Sequence, residues 1–301
     1  MKAKVGLVTV TYNSEGDIEE FLESCSIQTY KNFKIYFVDN NSCDETIYKI
    51  NKINEKYKLQ ISMHQISTNM GISYGNNVGI KQALADDCEW VILINNDTAF
   101  EPSLISSLIN NDNLVNIPLI TYYDEPDKIW FYKGFFNKFK GFTGAHYMKN
   151  KLLEDIHNNE IEYTDYSPTC CMSIHKNIFR EIGLMDEDFF VYFDDTDFTY
   201  RLLRNNVKIK IHKKTFLKHK VGSSTGGIMS NFTIEATSKN RIIFIRKHFS
   251  IIYLIFYLPI FLFFYFYRFI ILGKSIEKFI ISIRATFEGC TMRLSSPKHC
   301  D

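Results

Sequence analysis

Four short apolar runs in the first third of the chain each break off into a polar loop, and a helical pattern follows every one. The runs are Val5–Val10, Phe33–Val38, Leu59–Ile66 and Trp90–Ile94. The loops behind them carry Thr11-Tyr12-Asn13, Asp39-Asn40-Asn41-Ser42, Asn69 with Gly71, and Asn95-Asn96-Asp97. Helices are predicted over Ser14–Ile27, with Ser14 as N-cap and Asp17 in the first turn, then over Thr46–Tyr57, Ser73–Leu84 and Pro102–Ile109. This alternation implies a parallel sheet covered by helices on both faces. In such sheets ligands sit beyond the carboxyl ends of the strands. All four polar clusters fall on that edge, which makes them a candidate nucleotide pocket.

From Val115 to Tyr166 the pattern loosens into short strands and loops. Aromatics (Trp130, Phe131, Tyr132, Phe135, Phe136) and glycines (Gly134, Gly141, Gly144) crowd there, as in a cover over a ligand. A strand at Thr169–Ile174, a helix at Ile178–Ile182 ended by Gly183, a helix at Asp195–Asn205 and a strand at Val207–Ile211 follow. Lys and Arg number 35 against 34 acidic residues, so no basic field points to nucleic acid. The seven cysteines are odd in number and form no CxxC pair, which speaks against a disulfide framework or zinc site and for a reducing compartment. Val5–Val10 is too short for a signal-peptide core, so this part of the chain is expected in the cytoplasm.

Three constellations carry chemistry. Asp97 emerges at the end of a buried strand, where a carboxylate can hold a divalent cation, Mg²⁺ or Mn²⁺, against a nucleotide diphosphate. The plain alternative is an Asn-Asp turn with Asp97 capping the next helix. The stretch Asp186–Asp197 holds six acids in twelve residues. Such crowding costs repulsion unless a partner, a cap or a cation uses some of them. Asp195 is the first candidate for a general base that takes the proton of an attacking hydroxyl, with Asp194 second. A helix N-terminus there would keep the carboxylate ionised. His219 can bind the same metal or a phosphate oxygen, and Gly222, Gly226 and Gly227 behind it would admit phosphate to backbone amides. Lys239, Arg241, Arg246 and Lys247 form a basic patch for phosphate or for anionic lipid headgroups, unless they are simply a solvated helical face.

Taken in order, these motifs resemble glycosyltransferase family 2, and its rhamnosyltransferase-like members in particular. The likeness runs from about Val5 to about Phe249. It rests on Val8–Asn13, Val38–Ser42, Asn69-Met70-Gly71 with Gly75-Asn76-Asn77, Leu93–Asp97, Gly183–Asp197, His219–Ser224 and Asn240-Arg241. It implies a GT-A fold, a Rossmann-like, mostly parallel mixed α/β sheet flanked by helices. It also implies nucleotide-sugar contacts from Thr11, Tyr12, Asn13, Asp39, Asn41, Asn69, Gly71, Asn77, Asn96 and Asp97. A metal would be held by Asp97 and His219, Asp195 would be the base of an inverting displacement, and Asp194, Lys239 and Arg241 would lie on the acceptor or phosphate side. Asn95 departs from the pattern, standing where many members have Asp. Asp194 replaces a Glu, Cys170-Cys171 replaces a small Gly-containing segment, and Lys239 replaces an Arg. The Gln-x-x-Arg-Trp motif of processive synthases is absent, which fits transfer of a single sugar.

Phe249–Tyr267 carries no charge and Phe269–Leu272 extends it, long enough to span a bilayer. Pro259 should kink or break a helix there. Basic residues flank both ends, Arg246 and Lys247 before and Lys274, Lys278 and Arg284 after. By the positive-inside rule both ends then stay in the cytoplasm, in a re-entrant or interfacial hairpin. The expected organisation is a catalytic domain over 1–248, split into a nucleotide-binding half (1–112) and an acceptor-side half (113–248), followed by a membrane-associating segment over 249–301. The expected partners are a nucleotide-sugar donor such as dTDP-rhamnose or a UDP-hexose, a polyprenyl-diphosphate-linked glycan acceptor and the cytoplasmic membrane face. A non-catalytic scaffold that keeps the fold is the competing reading, with Asn95 as its best support. A nucleotidyltransferase would need a Gly-rich basic loop after the first strand, which Thr11-Tyr12-Asn13-Ser14 does not supply.

Overall fold

The computed structural model describes residues 2–109, 112–137, 141, 143–156, 162–221 and 230–299. The glycine segment with Gly222, Gly226 and Gly227 lies outside the described residues, as does Cys300. The six other cysteines are free thiols.

The chain runs β1 (Val5–Thr11), α1 (Ile18–Ser26), β2 (Phe33–Asp39), α2 (Thr46–Tyr57), β3 (Ile61–Gln65), α3 (Ile72–Ala85), β4 (Trp90–Ile94), β5 (Thr98–Phe100) and α4 (Leu104–Ile109). The sheet then grows through β6 (Val115–Tyr122), β7 (Ile129–Phe131), a separate hairpin of β8 (Lys133–Asn137) and β9 (Thr143–Tyr147), β10 (Glu162–Thr164) and β11 (Cys171–His175). It closes with α5 (Lys176–Ile182), α6 (Asp194–Arg204), β12 (Ile209–His219), α7 (Asn231–His248), α8 (Ile251–Tyr265) and α9 (Ile276–Thr291). Strand order is β10-β12-β6-β11-β4-β1-β2-β3, with β5 added to β12 and β7 to β6. The β4-β1-β2-β3 half is parallel, and β11 enters antiparallel between β4 and β6. One sheet therefore runs through both expected halves of the catalytic region.

β1, β2 and β4 are buried on both faces, which is why they read as unbroken apolar runs rather than alternating ones. α3 crosses β1 closely because Gly79 has no side chain. A Cβ there would meet Val8 Cγ1 at 2.4 Å.

Several sequence expectations are corrected. α1 starts at Ile18, not Ser14, and Asp17 is its N-cap residue without a capping side chain. Ser14 instead ties loops together, its amide donating to Thr46 Oγ1. Val115–Tyr122, read as irregular, is a long buried strand in mid-sheet. β12 is more than twice the predicted length and carries its register to His219. α8 continues through Pro259, and π-helical turns over Phe266–Leu272 extend it. Pro259 removes one amide donor without ending the helix.

Candidate active site

A cleft of about 640 Å³ opens at the carboxyl edge of β1, β4 and β12. Of the residues singled out from sequence, Tyr12, Asn69, Gly71, Asn96, Asp97, Asp194, Asp195, His219 and Arg241 line it, drawn from six separate stretches of chain. Thr11, Asn13, Asp39, Asn41, Asn77 and Lys239 do not.

The reasons are visible in their hydrogen bonds. Asp39 is 2% exposed and works as a staple. Its Oδ1 accepts from Thr11 Oγ1 (3.0 Å) and Ser42 Oγ (2.6 Å), and its Oδ2 from the Ser42 amide (3.0 Å). Asn13 and Asn41 sit on the exposed rim in left-handed backbone, and Asn13 Oδ1 accepts the Cys43 amide. Asn77 pins α3 to the loop before α6. Its Nδ2 donates to Met185 O and Glu187 Oε1, and its Oδ1 accepts the Met185 amide. Lys239 points the other way and pairs with Glu288 of α9 at 3.1 Å. The basic patch is thus dispersed. Arg246 donates to Gly289 O and Met292 O, and Lys247 is buried against Asp186 and Asp188. Arg241 alone of the four turns to the cleft. Among the described residues its buried Nε has no hydrogen-bond partner, and its guanidinium rests 5.1 Å from the Phe261 ring of α8.

Two strand ends meet at the cation-binding candidates. β5 and β12 pair through Thr98 and His219, which brings His219 Nε2 to 3.3 Å from Asp97 Oδ1. Burial alone would push the imidazole down. The Cys170 thiol and the Asp97 carboxylate beside it outweigh that and raise it to about 10. Asn96 Nδ2 donates to Val10 O, fixing the end of β4 against β1. Among the described residues no three His, Cys, Asp or Glu converge into a closed cage. One carboxylate, together with the imidazole once a cation displaces its proton, fits a cation that takes its remaining ligands from substrate phosphates and water. Asn95 also lines the cleft, so the neighbouring position adds an amide rather than a second charge.

Opposite lies the N-terminus of α6. Asp194 and Asp195 occupy its first turn, after Tyr192 and Phe193 in left-handed backbone at φ 63° and 65°. Two consecutive aromatics in that region are strained, and surrounding contacts must hold them. Asn240 of α7 does so, its Nδ2 donating to Val191 O (2.9 Å) and Tyr192 O (3.0 Å). Asp195 Oδ2 accepts from Tyr166 Oη (2.7 Å), and its Oδ1 from the Thr196 amide (2.6 Å) and Thr196 Oγ1 (3.1 Å). Among the described side chains, Thr169 Oγ1 donates to Asp194, at 3.4 Å, beside a contact from its own backbone amide. Burial, and then the charge of its neighbour, push Asp194 up to about 8. Burial also raises Asp195, against the pull of Tyr166 and Thr196. The donor count decides the pair: Asp195 is the ionised member and Asp194 carries the proton. Tyr166 is held far above the ordinary phenol value by burial and then by the Asp195 charge, so it stays a donor.

A sequence profile described as Glycosyl transferase family 2 matches residues 7–183, more than half of the chain. The chain belongs to glycosyltransferase family 2. The low-salt glycan biosynthesis hexosyltransferase Agl10 of Haloferax volcanii is 26% identical over 211 residues, 68% of this chain. The match covers 63% of Agl10, so the chain spans under two-thirds of that relative's length. The dTDP-rhamnosyl transferase RfbF of Shigella flexneri is 23% identical over 75% of this chain and 72% of its own. Among solved structures, the mannosyltransferase PcManGT of Pyrobaculum calidifontis, in complex with GDP-Man and Mn²⁺, superposes with a TM-score of 0.56. It is 12% identical and covers 98% of this chain and 77% of its own. The fold is GT-A, as such structural neighbours show, and Asp195 and His219 lie beyond the residues the family profile matches.

Sequence reasoning assigned no role to Tyr166, Asn240 or the buried Asp197–Arg201–His248 cluster that joins α6 to the end of α7. Arg201 Nε donates to Asp197 Oδ2 at 2.8 Å and His248 Nε2 lies 2.7 Å from Oδ1. Burial would raise Asp197, but Arg201 and His248 outweigh it and hold the carboxyl below its ordinary value. The i,i+4 spacing of Asp197 and Arg201 was a usable signal. Nothing local marks Tyr166 or Asn240.

Proposed function

We propose that this family 2 member is an inverting, metal-dependent glycosyltransferase that moves one sugar from a nucleotide-diphosphate sugar onto a glycan acceptor. The reading rests above all on one observation. A carboxylate poised to take a proton, Asp195, shares a cleft with the Asp97–His219 pair and with Arg241, whose buried Nε has no hydrogen-bond partner among the described residues.

The donor's nucleoside is placed by Tyr12, Asn69 and the backbone at Gly71, with Asn40 bracing that loop through Met70 N and Gly71 O. Asp97 and His219 would hold Mg²⁺ or Mn²⁺, which when bound neutralises the diphosphate as it leaves. Arg241 supplies a second positive charge to that phosphate. Asp195 takes the acceptor hydroxyl's proton as that oxygen bonds to the anomeric carbon. The bond from that carbon to phosphate breaks, and its electron pair leaves with the nucleoside diphosphate. Attack from the face opposite the leaving group inverts the centre. Donors of the dTDP-rhamnose or UDP-hexose class suit this reading; RfbF is named a dTDP-rhamnosyl transferase and Agl10 a hexosyltransferase.

The acceptor is read as a polyprenyl-diphosphate-linked glycan of surface-polysaccharide assembly, approached from the cytoplasmic membrane face. Ile251–Leu272 is long and apolar enough to cross a bilayer, yet most of it is exposed. Ile252, Phe256 and Phe263 are over 60% exposed. After it, α9 returns to pack along α7, and Lys298 pairs with Glu187 beside the catalytic loop. Both flanks thus rejoin one body, which favours a helix lying in the interface over one that spans.

The test is nucleotide release from UDP-, dTDP- and GDP-sugars by detergent-solubilised protein with Mn²⁺ or Mg²⁺, beside Asp195→Asn. Turnover of one donor that disappears in the variant supports the reading. Nucleotide-sugar binding without turnover, with lipid-linked acceptors supplied, supports a scaffold instead, and Asn95→Asp is then the reversion to make.

A further inference from the structure

A second cleft, of about 630 Å³, lies against the β8–β9 hairpin and plays no part in the chemistry above. Its walls carry Tyr132, Phe135, Tyr147 and Tyr163, with Glu162 and Asp165 between them. Phe135, Tyr147 and Tyr163 are 46%, 54% and 39% exposed. Three large rings open to water in one concavity mark a binding surface rather than scattered surface apolarity. Among the described lining residues Asp155 and Lys133 add to the charge, giving three carboxylates and one ammonium, with Lys213 paired to Glu162 at 3.6 Å and Lys208 over the Tyr163 ring from outside the lining. These walls hold no excess of positive charge for phosphate or sulfate. The carboxylate oxygens are acceptors and so match ligands rich in hydroxyl donors. Ring faces for C–H surfaces, beside carboxylates for hydroxyls, are complementary to a neutral oligosaccharide.

Two segments connect this cleft to the catalytic one. Glu162, Tyr163 and Asp165 line the second cleft, while Tyr166, Pro168 and Thr169 of the same segment line the first. The hairpin is shared in the same way, Phe135 and Tyr147 on one side and Thr143 and Gly144 on the other. Tyr166 is the partition: it packs on Gly134 and Gly144 and donates to Asp195. Asp165 and Thr169 are four residues apart, at most about 14 Å along extended chain. One oligosaccharide can therefore reach both.

We propose that this aromatic–carboxylate cleft is a distal subsite that binds non-reacting units of a neutral oligosaccharide acceptor, with its reactive end directed toward Asp195. The inference deepens the glycan-acceptor part of the proposed function and rests on it.

The experiment is binding of the full-length detergent-solubilised protein to an immobilised panel of neutral, anionic and cationic glycans, with UDP present or absent. Wild type is compared with Phe135→Ala/Tyr147→Ala and with Tyr163→Ala. The proposal expects neutral oligosaccharides to bind whether or not UDP is present, and the double variant to weaken that binding about tenfold or more. Nucleotide affinity and circular dichroism should not change. Failure of wild type to hold any neutral glycan, a preference for charged glycans, or unaltered binding by correctly folded variants would each overturn it. Because the readout needs no turnover, absence of transferase activity would count against the proposed function and leave this result to stand separately.

Discussion

The phenol of Tyr166 donates to Asp195 Oδ2 at 2.7 Å, while the side chain that donates to Asp194, the adjacent residue in sequence, is Thr169 at 3.4 Å. Two adjacent carboxylates are thereby made unequal. The acidic limb of the rate profile should lie above the ordinary carboxylate range, about 3.9, because burial raises Asp195. Activity should rise with pH as Asp195 loses its proton. Tyr166→Phe removes a donor to the charged form and should move that limb to higher pH. Asp194→Asn replaces a carboxyl that is already neutral over that range and should leave the limb in place. Profiles of kcat/KM for the two variants check this, and a limb that stays put in Tyr166→Phe or moves to lower pH in Asp194→Asn would contradict the assignment.

Asp194 also bears on stability. Its folded-state value lies above its unfolded one, at about 8, so the carboxyl favours folding while protonated. That contribution is present at low pH and is lost as pH rises through the folded value. Asp194→Asn should therefore melt at a higher temperature than wild type at pH 8 to 9, with the difference shrinking near pH 4. Thermal unfolding at the two pH values decides it.

The nucleotide-side fold was legible because buried parallel strands write themselves as apolar runs and end in polar loops. Asp97, Asp195 and His219 were locatable for the same reason, each standing at a strand or helix end. Asp39 and Asn77 show the limit. A polar residue at such an end serves equally well as a staple, and only its partners, Ser42 and Met185, tell which role it has. Val115–Tyr122 was missed because its neighbours β11 and β12 lie more than fifty residues away, so no local pattern foretold its central place. The dispersal of the basic patch follows from helical geometry: Lys239 and Arg246, seven residues apart, share the side of α7 that meets α9, while Arg241 and Lys247 turn to other sides.

Asn240 is a positioning residue. It satisfies Val191 O and Tyr192 O just ahead of the strained Tyr192–Phe193 pair. Asn240→Ala should relax that turn and displace Asp195. A loss in kcat of about 10²-fold is expected for an error near 1 Å, with KM for the donor little changed. A purely structural role would lower stability alone. Measuring kcat, KM and the unfolding midpoint together separates the two outcomes.

Asp197 anchors the helix that carries Asp195, the proposed base. Replacing it with Ala leaves Arg201 and His248 without their shared carboxylate in a buried setting, at a cost of about 3–5 kcal/mol. In wild type the lowered carboxyl contributes stability above the unfolded value, about 3.9, and that stability is lost as pH falls through the folded one. Denaturant unfolding should show the wild-type advantage over Asp197→Ala narrowing below pH 4.

The outward face of α8 makes the last prediction. Phe256 and Phe263 are each 70% exposed and stand two turns apart on the same helix. A Phe side chain moved from water into an apolar medium gains about 1.5–3 kcal/mol. If α8 lies in the headgroup boundary, Phe256→Ser/Phe263→Ser should weaken vesicle binding by about 100-fold or more. Nucleotide affinity should stay as it was, since neither ring lines the cleft. Sedimentation with vesicles of mixed zwitterionic and anionic lipid measures this, and salt separates the two contributions. A lipid-buried face resists 0.5 M salt, whereas attraction through Lys274 and Lys278 alone would be screened away. Vesicle binding equal to wild type in the double variant would remove α8 from the interface and leave the acceptor's lipid linkage without its main support.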